Sequence, residues 1–235
     1  MSDREATVHN PIFARWILPR VTTNHDARGG AEHRRELLAG LSGRVIEVGA
    51  GMGSNFGHYP RSVKELVATE PESYLRSLAT RAAAAASIPV RVVDGLGESL
   101  PMDDASFDAG VASALLCSVA DPARVLSELF RVIRAGGELR FYEHVRASSL
   151  GLALIQRIVD ATVWPRLGGG CHTGRDTRST IERTGFVVER CREFMFRPCA
   201  LLFPSAPHIL GVARRPWTRR RGERHLEREL HQGPG

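Results

Sequence analysis

Lysine is almost missing from this chain: Lys64 stands alone beside 31 arginines. That imbalance looks like codon bias and carries no functional weight. Cysteine is also scarce. Cys117, Cys171, Cys191 and Cys199 form no Cys-x-x-Cys pair and follow no secretory leader, which argues against a disulfide framework and against structural zinc. A reducing, cytoplasmic setting is the expectation. No apolar run reaches the roughly 20 residues that span a bilayer, and Met1 to Asn10 is polar, so no segment integral to a membrane is expected. Aromatics are only 6% of the residues, and few of them interleave with the basic charge. The formal charge of +6 is concentrated at one end: from Arg214 to Gly235 seven arginines face three glutamates. With Trp217 as its one aromatic, this stretch reads as a solvated basic tail rather than a phosphate-gripping surface.

What the chain does have is the composition of a soluble globular protein, 43% apolar and 25% charged over 235 residues, enough for one domain with appendages. From Arg44 onward, short apolar or β-branched runs alternate with longer segments of helical spacing, the pattern of a parallel α/β sheet. Strands are predicted at 44–48, 65–69, 90–93, 108–114 and 138–142. Helices are predicted at 73–86, from Pro122 to Arg134 with Ala135-Gly136-Gly137 ending it, at 150–164 and at 177–184. The helix after the first strand is short, stopping near Tyr59-Pro60. Two further strand-like runs, 186–196 and 208–213, close the domain. Residues 1–42 precede the sheet and carry the amphipathic stretch Ile12 to Leu18, either a lid over a site or a packed helix. The expected organisation is a helical N-terminal segment over 1–42, a domain over 43–213 and a basic tail over 214–235.

The densest signal is Arg44-Val45-Ile46-Glu47-Val48-Gly49-Ala50-Gly51-Met52-Gly53, an apolar strand with one carboxylate running into three alternating glycines. Glycine tolerates positive φ and lets a ligand lie against the backbone. A dinucleotide site would want Gly-x-Gly-x-x-Gly, but Ser54 holds the place of its third glycine. Glu47 would repel a pyrophosphate and suits an ammonium. In an open α/β sheet ligands sit outside the carboxyl ends of the strands. Glu70 ends the second strand, where a carboxylate can accept both hydroxyls of a ribose. Together these features specify an adenosyl ligand with a cationic amino-acid end.

Five motifs follow in order: Glu47-x-Gly49-x-Gly51-x-Gly53; Glu70; Gly95-Leu96-Gly97-Glu98-Ser99-Leu100-Pro101; Ser106-Phe107-Asp108; and Arg131-Val132-Ile133-Arg134-Ala135-Gly136-Gly137. In this order and spacing, over about residues 43–145, they resemble the class I S-adenosylmethionine-dependent methyltransferases that act on small molecules. The resemblance implies a Rossmann-like α/β fold: a seven-stranded, mostly parallel sheet with helices on both faces and the last strand inserted antiparallel. It implies S-adenosyl-L-methionine as the cofactor, with Glu47, Gly49, Gly51, Gly53, Glu70, Leu96, Gly97 and Ser113 around it. Many relatives have Gly-Asp-Ala-Glu after strand three. Leu96 replaces that Asp, leaving backbone and apolar packing to hold adenine, with Asp94 as a nearby substitute.

A narrower resemblance rests on Leu116-Cys117-Ser118-Val119, Glu143-His144-Val145, Gly170-Cys171-His172 with Arg175, and Pro207-His208-Ile209-Leu210-Gly211. These are similar to the methyltransferase-like branch that includes alkyl thiol S-methyltransferases, without the N-terminal hydrophobic anchor of its animal members. The implied acceptor is a small-molecule thiol or sulfide. A thiol with a pKa near 8.5 is partly ionised at neutral pH, and in-line displacement at a sulfonium methyl depends mainly on alignment. His144, at the carboxyl edge of strand five, is the candidate catalytic residue, with Cys171, His172 and Arg175 lining the acceptor site. The spacing of His144, His172 and His208 matches no metal motif, so no metal is expected. Two alternatives remain: carbon or oxygen methylation of a quinone or secondary metabolite, and an RNA-directed role for the basic tail. The Asn/Asp-Pro-Pro-Tyr motif of many base-amino methyltransferases is absent, which weakens the nucleic-acid reading.

Overall fold

The structure, a computed structural model, describes residues 10–197 and 200–217. Residues 1–9, 198–199 (with Cys199) and 218–235, most of the arginine-rich tail, lie outside the described residues. Seven strands form one sheet: β1 (Gly43–Val48), β2 (Val63–Thr69), β3 (Val90–Val93), β4 (Phe107–Ser113), β5 (Ile133–His144), β6 (Val187–Met195) and β7 (Pro207–Arg214). Their order is β3-β2-β1-β4-β5-β7-β6, with β7 antiparallel to both neighbours and the other pairs parallel. The expected doubly covered sheet with its inserted last strand is the fold found. From β1 the chain builds outward to β2 and β3, then crosses back to β4 on the other side. That reversal opens a crevice at the carboxyl ends of β1 and β4, where such sheets bind ligands.

A parallel strand must be covered on both faces, and the last four residues of β1 and of β2 are all buried. Helix α1 is Leu18–His25, α2 Ala31–Leu38, α3 Ser73–Ala84 and α4 Pro122–Val132; α5 is Leu150–Asp160, α6 Trp164–Leu167 and α7 Thr177–Arg183. On one face Val125, Leu126, Leu129 and Val132 of α4 pack with Ile46, Val67, Phe107, Leu139 and Phe141. Those four positions make one helical stripe, and Asp121 starts the helix by accepting a hydrogen bond from the Arg124 amide at 3.0 Å, with Pro122 in the first turn. On the other face Leu37 and Leu38 of α2 and Ala79 of α3 cover Val45, Leu66 and Val111.

Some boundaries differ from the sequence expectation. α4 ends at Val132, and Ala135-Gly136-Gly137 lies inside β5 instead of terminating a helix. The cause is pairing: Gly136 takes a φ of +75° at a register shift in the β4/β5 ladder. Its amide donates to the Arg215 carbonyl at 2.8 Å, while the Arg215 amide donates to Gly137 at 2.9 Å. The domain therefore does not stop at residue 213. Arg214 pairs with Glu189, and Trp217 lies against Gly136. The short helix expected after β1 is a run of turns with one 3₁₀ turn, Phe56–His58, and the helix expected over 150–164 divides into α5 and α6. No helix among the described residues is long and apolar enough to cross a membrane.

Candidate active site

Gly49, Gly51 and Gly53 all have positive φ, +69°, +57° and +81°, but their surroundings differ. A β-carbon on Gly49 would strike the Leu115 side chain, and one on Gly53 would come within 2.8 Å of Phe56 and 2.9 Å of Ala82. Those two glycines allow close packing. At Gly51 the nearest atom to such a carbon is Leu18 Cδ2, at a contact distance of 3.8 Å, so this backbone is uncrowded and covered by the N-terminal segment. Glu70 secures the same point: its Oε2 accepts from the Gly51 amide at 2.8 Å and its Oε1 from the Glu72 amide at 3.0 Å. Burial pushes the Glu70 carboxyl up to about 7 despite these amides.

Glu47 has a different place from the one expected. Instead of facing an ammonium at the crevice, its carboxylate lies 2% exposed beneath the glycine loop. Asn55 Nδ2 donates to Oε1 at 2.7 Å and Tyr59 donates to Oε2 at 2.8 Å. Arg34 in turn donates to Asn55 Oδ1 at 2.8 Å and to Asp26 at 2.9 Å, so a polar chain runs from the N-terminal segment to β1. Burial raises the Glu47 carboxyl to about 7, against the lowering effect of its hydrogen bonds. Glu47 is thus a positioning residue for the loop. Asn55, Tyr59 and Arg34 escaped the sequence reading because nothing in their spacing marks them as partners of a strand carboxylate.

Leu96, on the loop after β3, is 45% exposed, whereas Gly97 packs with Val48 and Val125 on either side. Asp94 is engaged with Arg76 at 3.2 Å and sits on the exposed surface. Ser113 ends β4, in register with Tyr142 of β5. These features fit an adenosyl group with an amino-acid tail: a backbone cradle at Gly51 that any β-carbon would fill, a buried carboxylate at its rim and an apolar residue exposed at the far end.

Across the crevice, β4 is followed by a loop, 114–120, held by the next strand. Glu143 of β5 is buried and accepts from the amides of Leu115 and Leu116 at 3.0 Å and of Cys117 at 3.2 Å. Burial, then the charge of Cys117, holds its carboxyl well above the carboxylate range. Arg175 also serves this loop, donating to the carbonyls of Leu116 and Val119 at 2.5 and 2.7 Å. The expected acceptor-lining arginine therefore has its guanidinium occupied by backbone. The His172 amide donates to the Cys117 carbonyl at 2.8 Å, and its ring Nδ1 donates to Gly170 at 2.7 Å.

His144 and Cys171 do come together, with Nδ1 3.5 Å from Sγ. Cys117 joins them, so that one donor atom from each residue lies within 4.8 Å of the others. A hydrogen bond from Cys171 holds the Cys117 thiol below its ordinary value and the Cys171 thiol above it. Behind His144 its ring meets His208 edge to face at 4.6 Å. Burial, with His144 beside it, keeps His208 neutral down to about 2. The sequence pattern offered Cys117 only as part of Leu116-Cys117-Ser118-Val119. Nothing local signals that it meets a cysteine 54 positions on.

The N-terminal segment spans the crevice. Leu18 faces Gly51, Arg15 lies over the Tyr74 ring of α3 at 5.2 Å, Phe13 packs on Gly169, and Asn10 donates to the Arg166 carbonyl at 2.6 Å.

Comparison with known proteins agrees with this geometry. A family model described as "Methyltransferase domain" matches residues 46–141. Thiol S-methyltransferase TMT1B of Mus musculus is 36% identical over 180 residues, covering 75% of this chain and 73% of that one. The Homo sapiens TMT1B is 32% identical over 208 residues, 83% of this chain and 84% of that one. Among solved structures, a SAM-dependent methyltransferase from Thermotoga maritima superposes with a TM-score of 0.64 at 21% identity, over 87% of this chain and 98% of that one. The chain therefore belongs to the class I S-adenosylmethionine-dependent methyltransferases, in the branch that contains the thiol S-methyltransferases.

Proposed function

We propose that this enzyme methylates the sulfur of a small-molecule thiol or sulfide. The observation that carries the reading is its alignment with thiol S-methyltransferases along three quarters of the chain, through the loops that bear Cys117, His144 and Cys171. S-adenosylmethionine, when bound, supplies an electrophilic methyl on a sulfonium. In this reading the chain's own residues align and shield. Gly51 and Glu70 hold the cofactor, with Gly49 and Gly53 setting the loop, Glu47 supporting it from below, and Leu96, Gly97 and Ser113 flanking the adenosine. Leu96 supplies apolar contact where an Asp stands in many relatives.

The acceptor enters on the β4–β5 side, where His144 and Cys171 line its path and Arg175 holds the wall. His172 belongs to the same wall, its ring turned to Gly170. Residues 10–25 act as a lid, since they touch both the glycine loop and the Gly168–Gly170 turn. Excluding water there favours alignment of thiolate and methyl. Incubation with labelled S-adenosylmethionine and a panel of thiols, phenols and quinones tests the acceptor. Labelled thioether is the expected product; methylation confined to oxygen or carbon would refute the thiol reading.

A further inference from the structure

We propose that Cys117, His144 and Cys171 form a zinc site whose open fourth position receives the acceptor sulfur. The three residues come from three separate parts of the chain: the loop after β4, the end of β5 and the loop after α6. Tetrahedral zinc, with bonds of about 2.3 Å to sulfur and about 2.0 Å to nitrogen, sets ligand sulfur and nitrogen about 3.5 Å apart and two sulfurs about 3.8 Å apart. His144 Nδ1 already lies 3.5 Å from Cys171 Sγ. The whole set fits within 4.8 Å, so closing on an ion shortens any one pair by at most about 1.3 Å. All three groups are of the kind zinc prefers, and two Cys with one His leave a tetrahedron with a free corner, as in catalytic zinc centres.

The surroundings suit that role. The amides of 115–117 are fixed by Glu143 and the carbonyls of Leu116 and Val119 by Arg175, so Cys117 is held in place from both sides. The indole N–H of Trp164 is buried beside Gly168 and Cys171, and its hydrogen bond favours the ionised form of the Cys171 thiol. A donor there is matched to a sulfur that has lost its proton on metal binding. The cluster lies at the carboxyl edge of β4 and β5, on the same edge of the sheet as the glycine loop.

The use of the open position rests on the thiol reading above. An acceptor thiol entering it gives its proton to solvent and binds as thiolate. Its sulfur then forms a bond to the methyl carbon as the carbon–sulfonium bond breaks, and that bond's electron pair stays on the departing sulfur. A thiolate and a sulfonium become two neutral thioethers, which are weaker zinc ligands and leave.

Zinc content and cobalt(II) spectra of the full-length protein test the site independently of turnover. One equivalent of zinc per chain is expected, with thiolate-to-cobalt charge-transfer absorption on substitution by cobalt(II). Cys117→Ser, Cys171→Ser and His144→Ala should each weaken metal binding by more than the 10–100-fold typical of losing an outer-shell partner. Each should keep its affinity for S-adenosylmethionine, and Cys191→Ser should behave as the parent. Substoichiometric zinc, cobalt absorption surviving in all three variants, or a Cys117–Cys171 disulfide in the active enzyme would overturn the site. Stoichiometric zinc without thiol methylation would support the metal centre and sink the acceptor reading instead.

Discussion

Gly51 combines a left-handed backbone with an uncrowded position, bordered by Leu18 at contact distance, where a side chain would project. A β-branched residue there is strained by roughly 1–2 kcal/mol and fills the cradle. Gly51→Val should therefore weaken S-adenosylmethionine by at least about 10-fold in calorimetric titration, with about 1–2 kcal/mol lost from the free protein. Glu70→Ala removes the carboxylate that fixes the same amide and should weaken binding comparably; unchanged titrations for both would place the cofactor elsewhere. His25 carries a pH signature. Burial first, then Arg34, lowers it from 6.5 to about 4, and its Nε2 meets the Tyr142 hydroxyl at 3.0 Å. As pH falls below 6.5 the unfolded chain takes up this proton before the folded one does. The stability it contributes is full above 6.5 and lost toward 4, about 3 kcal/mol at most. Glu47 and Glu70, raised to about 7, act in the opposite sense: the stability from their neutral forms is full below about 4.5 and lost as pH rises through 7. Urea midpoints of the parent and His25→Gln across this window isolate the histidine. A variant with the same acid slope would remove it as the cause.

Among the elements, α5 is fastened by two side chains: Asp160 accepts from the amides of Thr173 and Gly174 at 2.7 and 3.0 Å, and Gln156 makes the buried attachment. Gln156 is fully buried, accepting from the Ala147 amide at 2.8 Å and donating to the carbonyls of Val145, Thr173 and Pro204 at 2.8 to 3.0 Å. It joins the end of β5, the loop after α6 and the approach to β7, and so sits behind the wall that carries His144 and Cys171. Gln156→Ala strands several buried polar groups at about 1–3 kcal/mol each, and a loss of roughly 3 kcal/mol in denaturant unfolding is expected. A change below about 1 kcal/mol would mean water replaces the amide without penalty. The strands and α4 were legible in the sequence because burial on both faces leaves continuous apolar runs, and a single buried stripe leaves helical spacing. β3 was read to the residue. Gln156 was not legible, since an isolated glutamine inside an amphipathic helix carries no sign of burial. Nor was the start of β5, where the glycine pair that usually stops a helix is recruited into a bulge by Arg215. The cysteine pair escaped for a related reason: loops fixed by Glu143 and Arg175 bring it together, and neither contact has a sequence period.

At the scale of the molecule, the two ends of the chain have opposite relations to the sheet. At the carboxyl end Arg215 and Trp217 are tied to the β4–β5 bulge, so a truncation that tests the RNA reading must fall after Trp217. Phosphate contacts weaken steeply with salt. Equal RNA binding at low and high salt, before and after that cut, is the expected result for a tail with no nucleic-acid role. The amino end instead crosses the crevice. Phe13 and Leu18 touch its two rims at Gly169 and Gly51, while Arg34, Asn55 and Glu47 continue the connection into β1. A segment anchored on both rims must open for the cofactor to exchange, so its contacts slow release more than they add to the stability of the sheet. Phe13→Ala combined with Leu18→Ala should raise the S-adenosylmethionine dissociation rate about 30-fold, since the two partly exposed contacts contribute roughly 1 kcal/mol each. The sheet's unfolding free energy should change by less than about 2 kcal/mol, because neither residue lies in either core cluster. Stopped-flow displacement and urea unfolding measure the two quantities separately. A loss of stability with an unchanged dissociation rate would make these residues ordinary packing, and the crevice would then exchange ligand by another opening.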